Sequence, residues 1–315
     1  MSTTNREYEQ WKDNFVKKLQ ACLRYETELR NGGEVSVETF SHVNQGHSEG
    51  LVMTGLNESG ISPVIYLDHL YNCHKQGVSD EKLVQGTVTQ FVKYRDLKAN
   101  TKVLRDYEQV KEHLRIRVVG ATKNEFWADE KVSAVEGDFI HSCYLSFCDD
   151  EFGCATIDVS KRQADNWQVS YEQVIEDARK GSTNMKVELC SVTQILAETQ
   201  SVENYMEYPD LLPEQESLFS LREQGSPFGA SVIARPDILH RVGEILKDDY
   251  FILPSSVEEV LLIPARYWEE PGELNEMVRK INEKEVLLKD RLSSQVQYYD
   301  RGTKCMINVN EWMGM

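Results

Sequence analysis

Apolar residues recur at intervals of three and four in several segments of the chain, which is the spacing of one helical face. The clearest of these segments begin near Tyr8, at Ser79, at Ser170 and at Pro236. Gln173 follows Ser170 at the distance that suits a capped helix start, and Pro236 suits a first helical turn. We therefore predict an amphipathic helix at each of these places. Val110 and Leu114 are also four apart, which predicts a helix over Asp106–Val118.

Other apolar segments are shorter and lack the helical spacing, and we predict that they form strands. Phe139–Phe147 and Cys154–Val159 are rich in aromatic and β-branched residues and flank a loop that contains glycine, Asp149–Gly153. That arrangement predicts a β-hairpin. Phe251–Leu253 and Val260–Ile263 are each followed by proline and are too short for helices, so we predict two buried strands joined by a tight turn.

Two serines lie in that turn, Ser255 and Ser256, and glutamates follow them three residues later at positions 258 and 259. This spacing predicts a capped first turn of helix. A nucleophile or an anion-binding loop is the alternative that the same serines leave open.

The fold class follows from how these elements alternate. Strands over Leu218–Leu221 and Ala230–Ala234 precede the helix at Pro236, and the strand pair from Phe251 precedes a helix at Pro271. In the first half, apolar positions at 35–40 and 51–53 predict two strands around a polar loop, residues 41–50. We predict an α+β fold of antiparallel sheets with packed helices, a helical N-terminal portion and a ββαββα-like C-terminal core.

An acidic segment that contains Pro209 and Pro213 predicts a surface connection between two halves. We place an N-terminal α+β domain at residues 1–200, the acidic connection at residues 201–216 and a C-terminal α+β domain at residues 217–315. One continuous unit is the alternative.

The charge of the chain indicates which kinds of partner it favours. Asp and Glu number 52 against 35 Lys and Arg, so the formal net charge is −17. Such a field repels phosphate, which disfavours direct binding to nucleic acid and favours a basic protein surface, such as the groove of a nucleic-acid enzyme. Acidity that serves solubility alone is the alternative.

The compartment is predicted from features that the sequence lacks. No secretory signal opens the chain, no apolar run approaches the length of a membrane span, and the seven cysteines are dispersed. We expect a cytoplasmic protein with reduced thiols and no membrane contact.

The sequence contains few residues whose spacing suits metal binding or catalysis. His141 with Cys143, Cys148 and Cys154 is the densest group of metal-ligand types, but its spacing does not supply four donors, so we expect no metal and no cofactor. Neighbouring carboxylates in so acidic a chain are typical of a solvated face. No phosphate-binding or nucleophile-elbow motif is present in the sequence.

Aromatic and acidic residues in predicted loops form the candidate binding surface, because such residues suit contact with a basic, partly apolar partner. The candidates are Asp149, Asp150, Glu151, Tyr205, Tyr208, Tyr267, Trp268, Glu269 and Glu270. The alternative is that the aromatic rings pack on the nearest helix.

Several motifs, taken in chain order, are similar to those of an uncharacterised bacterial domain-of-unknown-function family that is common in gut anaerobes and their mobile elements. They are Ile61–Leu67 with Tyr71, Asp106–Lys111, Phe251–Val260, Asn282, Val286, Leu292-Ser293, Tyr298 and Arg301. The chain departs from the family at Thr183-Asn184, where the family tends to have Asn-Thr. The resemblance implies a cytoplasmic bacterial protein carried by mobile elements, and it supplies no activity or catalytic residue.

Three functional classes remain. We favour a non-enzymatic acidic binding protein, for example an inhibitor that occupies the basic groove of a host or defence nucleic-acid enzyme. The second class is an enzyme whose site combines distant residues; its candidates are Tyr66, Asp68, His69, Ser255 and Ser256. The third is a structural accessory subunit.

Overall fold

The computed structural model describes residues 3–25, 34–57, 62–95, 101–149, 153–197, 203–268 and 270–314. The chain divides into two compact units, Met1–Arg105 and Asp106–Met315, and each is described by itself. The elements of the first unit are α1 (Thr3–Tyr25), β1 (Glu34–His42), β2 (Gly46–Thr54), β3 (Ile65–Tyr66), α2 (Leu67–Lys75), α3 (Asp80–Tyr94) and a 3₁₀ helix (Thr101–Arg105).

The first unit packs three helices on a small antiparallel sheet of order β1-β2-β3. The predicted stripe of α1 is confirmed, because Trp11, Phe15 and Leu19 are buried against residues of α2, α3 and β2. The predicted polar loop at residues 41–50 is wrong. β1 and β2 continue through it, pairing from Glu34 opposite Thr54 to His42 opposite Gly46.

The second unit has more elements. Its strands are β4 (Leu114–Gly120), β5 (Ser133–Glu136), β6 (Phe139–Asp149), β7 (Gly153–Asp158), β8 (Val187–Ser191), β9 (Phe219–Glu223), β10 (Tyr250–Leu253), β11 (Val260–Pro264), β12 (Gln297–Asp300) and β13 (Cys305–Asn308). Its α-helices are α4 (Tyr107–Val110), α5 (Glu125–Glu130), α6 (Lys161–Trp167), α7 (Tyr171–Thr183), α8 (Val192–Leu196), α9 (Pro236–Leu246), α10 (Pro271–Lys284) and α11 (Val309–Met313). Its 3₁₀ helices are Lys111–His113, Pro209–Leu211, Gly229–Ala234, Ala265–Tyr267 and Leu288–Asp290.

A six-stranded antiparallel sheet of order β13-β12-β10-β11-β9-β8 forms the centre of this unit. The predicted strand pair is confirmed as β10 and β11, which lie in the middle of the sheet. Alternate residues of these strands enter two cores: Ile252, Val260 and Leu262 pack with α9, whereas Phe251, Leu253 and Ile263 pack with α10. Burial on both faces explains why these strands are apolar without alternation.

A four-stranded sheet is built around the long strand β6, which pairs with β4 on one side and with β5 and then β7 on the other. The predicted hairpin is therefore confirmed as β6–β7. The helix predicted over Asp106–Val118 is wrong beyond its first turn. Only α4 and a 3₁₀ turn form, and from Leu114 the chain becomes the strand β4, in which Ile116, Val118 and Val119 are buried. β-Branched residues favour this extended state over the helix that the spacing of Val110 and Leu114 predicted.

The prediction of an α+β fold is confirmed, with one correction to the C-terminal core. The strand predicted over Ala230–Ala234 is a 3₁₀ helix. A Cβ atom added at Gly229 would lie 2.1 Å from the carbonyl oxygen of Glu258, so this close approach requires glycine at the start of the segment. The amide of Ala230 donates to the carbonyl oxygen of Val257. Val257 lies in the β10–β11 connection, so this hydrogen bond is not part of a sheet.

The two serines of that connection do not begin a helix, and the predicted capped helical turn is wrong. Ser256 Oγ accepts a hydrogen bond at 3.1 Å from the amide of Glu258, two residues later, which is a serine turn. The carbonyl oxygens of Pro254 and Ser255 accept from Ser293 and Leu292. These bonds fix the connection to the segment before β12.

The predicted acidic connection joins two neighbouring strands. β8 precedes residues 201–216, β9 follows them, and the two strands pair from Val187 opposite Glu223 to Ser191 opposite Phe219. Residues 201–216 therefore lie inside the second unit, and the division between the two units falls at Arg105 and Asp106. No α-helix in the described part of the chain is both long and apolar enough to span a bilayer.

The carboxyl group of Glu223 is buried at the end of β9, with only 2% of the residue exposed. Burial raises the pKa of Glu223 to about 7, and the charges of Arg235 and Arg115 oppose only part of that rise. Arg235 donates instead to the carbonyl oxygens of Met185 and Thr183 at the end of α7. Glu223 is thus a titrating group inside the second unit.

We predict that the free energy of unfolding falls as the pH rises through this range. In the unfolded chain Glu223 loses its proton near the ordinary glutamate pKa of 4.5, whereas in the folded chain it keeps the proton until about pH 7. The stabilisation is complete below the lower value and is lost above the higher one, by about 3 kcal/mol in total. Urea unfolding between about pH 4.5 and pH 8 should show that a Glu223→Gln variant lacks this loss.

The exposed neighbour Glu258 provides the matched control, because a Glu258→Gln variant should keep the pH dependence of the wild-type chain. Equal slopes for the wild-type and Glu223→Gln proteins would show that Glu223 is ionised in the folded state.

Candidate functional site

The second unit contains a cavity of about 480 Å³ between its two sheets. The turn from β5 to β6 forms one wall, the start of α9 with the preceding 3₁₀ helix forms the second, and β12, β13 and α11 form the third. About half of the lining side chains are apolar, including Phe139, Leu239 and Met306. The remaining side chains are polar or charged, and they give the cavity its chemistry.

Asp138 ties the β5–β6 turn to the larger sheet. Its Oδ2 atom accepts a hydrogen bond at 2.8 Å from Gln297 Nε2, and the same oxygen accepts from Asn308 Nδ2. Gln297 and Asn308 are direct partners in the β12–β13 ladder, so one carboxylate holds both strands. Gly137 occupies the left-handed region at φ 57° and allows the tight turn that delivers Asp138. Three polar residues from distant parts of the sequence therefore fix the wall of the cavity.

His141 lies on β6, opposite Val118 of β4 and Ala134 of β5. It lines the cavity, only 4% of it is exposed, and neither ring nitrogen has a hydrogen-bond partner among the described residues. Glu136 Oε2 is 3.4 Å from Nδ1, close enough for an electrostatic attraction but without the geometry of a hydrogen bond. Arg179 donates to the other oxygen of Glu136.

Burial lowers the pKa of the His141 imidazole, and the Arg179 charge lowers it further, while Glu136 opposes them. A neutral imidazole at neutral pH follows. Such a ring offers one acceptor nitrogen and one N–H donor. Both are available to a bound molecule, because the described protein groups satisfy neither of them.

Tyr299 provides a second polar group without a partner. Tyr299 lines the cavity, and its ring stacks on Tyr250 at 5.0 Å in the α9-side core. Its hydroxyl is buried and has no hydrogen-bond partner among the described residues. Burial raises the pKa of the Tyr299 phenol, so the hydroxyl keeps its proton. The neighbouring Tyr250 hydroxyl is different, since it donates to the carbonyl oxygen of Leu239 at 2.8 Å.

The charges around the cavity are mainly negative. Three carboxylates line it, those of Glu136, Asp138 and Glu311, against the single ammonium group of Lys304. The start of α9 does not reverse this sign. Pro236 has no amide hydrogen, and Asp237 places a carboxylate in the first turn.

These groups complement a hydrogen-bond donor, because a neutral imidazole nitrogen and a phenol oxygen can each accept a hydrogen bond. The lining contains no serine, threonine or cysteine that would act as a nucleophile. Binding is thus better supported by these residues than covalent catalysis is.

The predicted binding residues that the structure describes differ in their exposure and in their partners. Tyr205 was expected to be exposed, and that expectation is wrong: it is fully buried, its ring meets Phe219 edge-on, and its hydroxyl donates to Gln194 at 2.7 Å. Tyr208 is 55% exposed and Tyr267 is 37% exposed. The hydroxyl of Tyr267 donates to the carbonyl oxygen of Glu214.

The other candidates that the structure describes are Trp268, Glu270 and Asp149. Trp268 is half-buried, packs in the core beside α10 and donates to the carbonyl oxygen of Glu270 at 2.9 Å. Glu270 is exposed just before α10. Asp149 ends β6 opposite Gly153. Three candidates lie outside the described residues: Asp150, Glu151 and Glu269.

A second groove of about 560 Å³ is lined by residues 209, 210 and 212–214, by the end of α9 and by Arg266. Pro209 and Arg266 are the sequence neighbours of Tyr208 and Tyr267. Its charged lining balances Asp210, Glu214 and Glu244 against three cations of Arg241, Lys247 and Arg266. The mixed charge favours neither sign of ligand. The dispersed enzyme site is also divided, because Ser255 and Ser256 belong to the second unit whereas residues 66–69 belong to the first.

Comparison of the sequence with known proteins identifies a family that it matches. The family model described as a family of unknown function (DUF5688) matches residues 8–301. The chain belongs to DUF5688. The predicted resemblance to a domain-of-unknown-function family is thereby confirmed. No curated protein and no solved structure matches the chain.

The DUF5688 match contains His141, Asp138, Gln297 and Tyr299, but it ends before Lys304 and β13. Sequence reasoning missed these residues as a site. His141 was considered only as a metal ligand, and Tyr299 was not considered as a site residue. Two signals were available: a histidine within an apolar segment, and the polar residues Gln297 and Asn308 among the apolar residues near the C-terminus.

We predict opposite effects of removing two stacked hydroxyls. Tyr299→Phe removes a buried hydroxyl without a partner, so the free energy of unfolding should rise by about 1 kcal/mol. Tyr250→Phe removes the hydrogen bond to the carbonyl oxygen of Leu239, so the free energy of unfolding should fall by about 1 kcal/mol. Urea unfolding of the full chain near neutral pH measures both. Equal losses in the two variants would show that the Tyr299 hydroxyl has a partner in the folded protein.

Proposed function

We propose that the second unit is a binding module whose cavity takes a cationic group that donates hydrogen bonds, an ammonium or a guanidinium. The observation that supports this best is that His141 and Tyr299 are both buried, line one cavity and have no hydrogen-bond partner among the described residues. Leaving a buried polar group unsatisfied costs about 1–3 kcal/mol. A ligand that bonds to both would recover that cost, and this recovery is a driving force for binding.

The charges of the lining support a cation over an anion. A neutral imidazole nitrogen and a phenol oxygen can accept hydrogen bonds, and carboxylate oxygens can only accept. Glu136, Asp138 and Glu311 bring negative charge to the same walls. Ammonium and guanidinium groups carry only donors, so they complement this set. The apolar half of the lining suits the methylene chain that usually carries such a group.

A second candidate is the acidic binding protein expected from composition, directed at a basic protein such as a nucleic-acid enzyme. The formal net charge of −17 supports it. It and the cavity proposal are compatible, because a basic surface presents the same cationic groups. Its complex would weaken as salt is added. The nucleic-acid enzyme as partner, the mobile-element origin and the cytoplasmic location all stay predictions.

The proposal is tested with two small probes of opposite charge, butylguanidinium and butyrate. Calorimetric titration near neutral pH should show one site for butylguanidinium and no binding of butyrate. In Tyr299→Phe the affinity should fall about fivefold, the equivalent of one hydrogen bond.

Tyr250→Phe is the matched control for this titration, because the hydroxyl of Tyr250 already donates to the carbonyl oxygen of Leu239. It should bind butylguanidinium with the affinity of the wild-type chain. Equal binding of butyrate, or an unchanged affinity in Tyr299→Phe, would overturn the proposal.

A further inference from the structure

We infer that the cationic group reaches this cavity as a lysine or arginine side chain of a partner protein, on an extended segment that adds to the edge strand β13. This inference rests on the proposed function and identifies the kind of ligand. It assigns two contacts to the partner: backbone hydrogen bonds to β13, and a basic side chain inserted beside His141 and Tyr299.

The position of β13 supplies the first argument. It is the last strand of the six-stranded sheet, and among the described strands it pairs with β12 alone. Cys305 is exposed, and Met306, Ile307 and Asn308 are half-buried. An edge strand presents a row of unpaired backbone groups, which is the template that extended segments use when they add to a sheet.

The residues that β13 contributes to the cavity supply the second argument. Met306 and Asn308 point to the same face of the sheet as their partners Tyr299 and Gln297, which also line the cavity. Ile307 has the opposite parity, and its side chain packs in the core beside α10. Ile307 nevertheless lines the cavity. The cavity therefore reaches the backbone of β13, so a strand added there would lie along its opening.

The geometry of a sheet decides which side chains of the partner could enter. An added strand would lie about 4.8 Å from β13, with alternate residues on the cavity side. A lysine or arginine stem can cross that distance and carry its charge inward over apolar surface. Its charge would meet Glu136, Asp138 and Glu311, which complement a basic residue and repel an acidic one. We therefore expect a partner segment with a basic residue between β-forming neighbours.

Charge also favours another protein over a second copy of this chain on the same edge. Two copies joined through β13 would bring together two acidic linings, each with the three carboxylates named above. A chain of formal net charge −17 adds a general repulsion. Self-association through β13 is the competing outcome, so the experiment has to detect it.

The test uses the full chain and a blocked seven-residue peptide, Thr-Val-Thr-Arg-Thr-Val-Thr, compared with blocked arginine alone. Calorimetric titration should show that the peptide binds at least about tenfold more tightly, because it adds backbone hydrogen bonds to the contact of the guanidinium. Replacing its arginine by citrulline, which has the same shape without the charge, should abolish binding.

Two further peptides separate strand addition from simple capture of the side chain. N-methyl groups on one set of alternate amides should remove the tenfold gain, and on the other set they should leave it, since only one edge of an added strand faces β13. Equal effects of the two sets, or no gain over blocked arginine, would overturn this inference while leaving the proposed function intact. Failure of both blocked arginine and butylguanidinium to bind would overturn the proposed function itself. Sedimentation showing a dimer that the peptide dissociates would assign the β13 edge to self-association and would overturn the inference.

Discussion

Burial of one sheet on both of its faces is the constraint on which the second unit depends. Tyr250–Leu253 and Val260–Pro264 lie in the middle of six strands, and their side chains alternate between two separate cores. α9 and residues of the four-stranded sheet, Val118 and Phe139, cover one face, and α10 with α11 covers the other. Apolar area removed from water is the main stabilising contribution of such packing. The cavity lies where the β5–β6 turn of the four-stranded sheet contacts β12 and β13.

The polar groups near this cavity differ in whether they have hydrogen-bond partners. Asp138 is satisfied, since it accepts hydrogen bonds from Gln297 and Asn308 and so joins the smaller sheet to the larger one. His141 and Tyr299 are buried close by and have no such partners among the described residues. Most buried polar groups in folded proteins are hydrogen-bonded, and these two exceptions in the lining of one cavity are the basis of the proposed cation site.

Much of the architecture could be predicted from the sequence, because local pattern determined it. The helices at Ser170 and Pro236 and the hairpin after Phe139 were predicted from caps, prolines and apolar spacing. The failures have tertiary causes. The segment from Gly229 has strand-like composition, but its close approach to Glu258 selects a 3₁₀ helix. Val110 and Leu114 have helical spacing, yet pairing with β6 makes a strand of the residues from Leu114 onward.

The site was beyond sequence reasoning for a similar reason. His141, Tyr299 and Asn308 are separated by long stretches of chain, and sheet register brings them to one cavity. Exposed aromatic residues were expected to mark the binding surface, but Tyr205 packs in the core. The site is defined by two lining side chains that have no hydrogen-bond partner among the described residues, and no local sequence pattern predicts this.

The protonation state of His141 is the most direct test of whether the cavity binds a cation. Nitrogen NMR of the imidazole, assigned through a His141→Phe variant, reports its charge and its environment. We expect a neutral ring at neutral pH, with a pKa below the ordinary value of about 6.5, and a selective shift of its nitrogen resonance when butylguanidinium is added. A ring that is charged at neutral pH, or a resonance that does not respond to the cation, would contradict the proposed cation site.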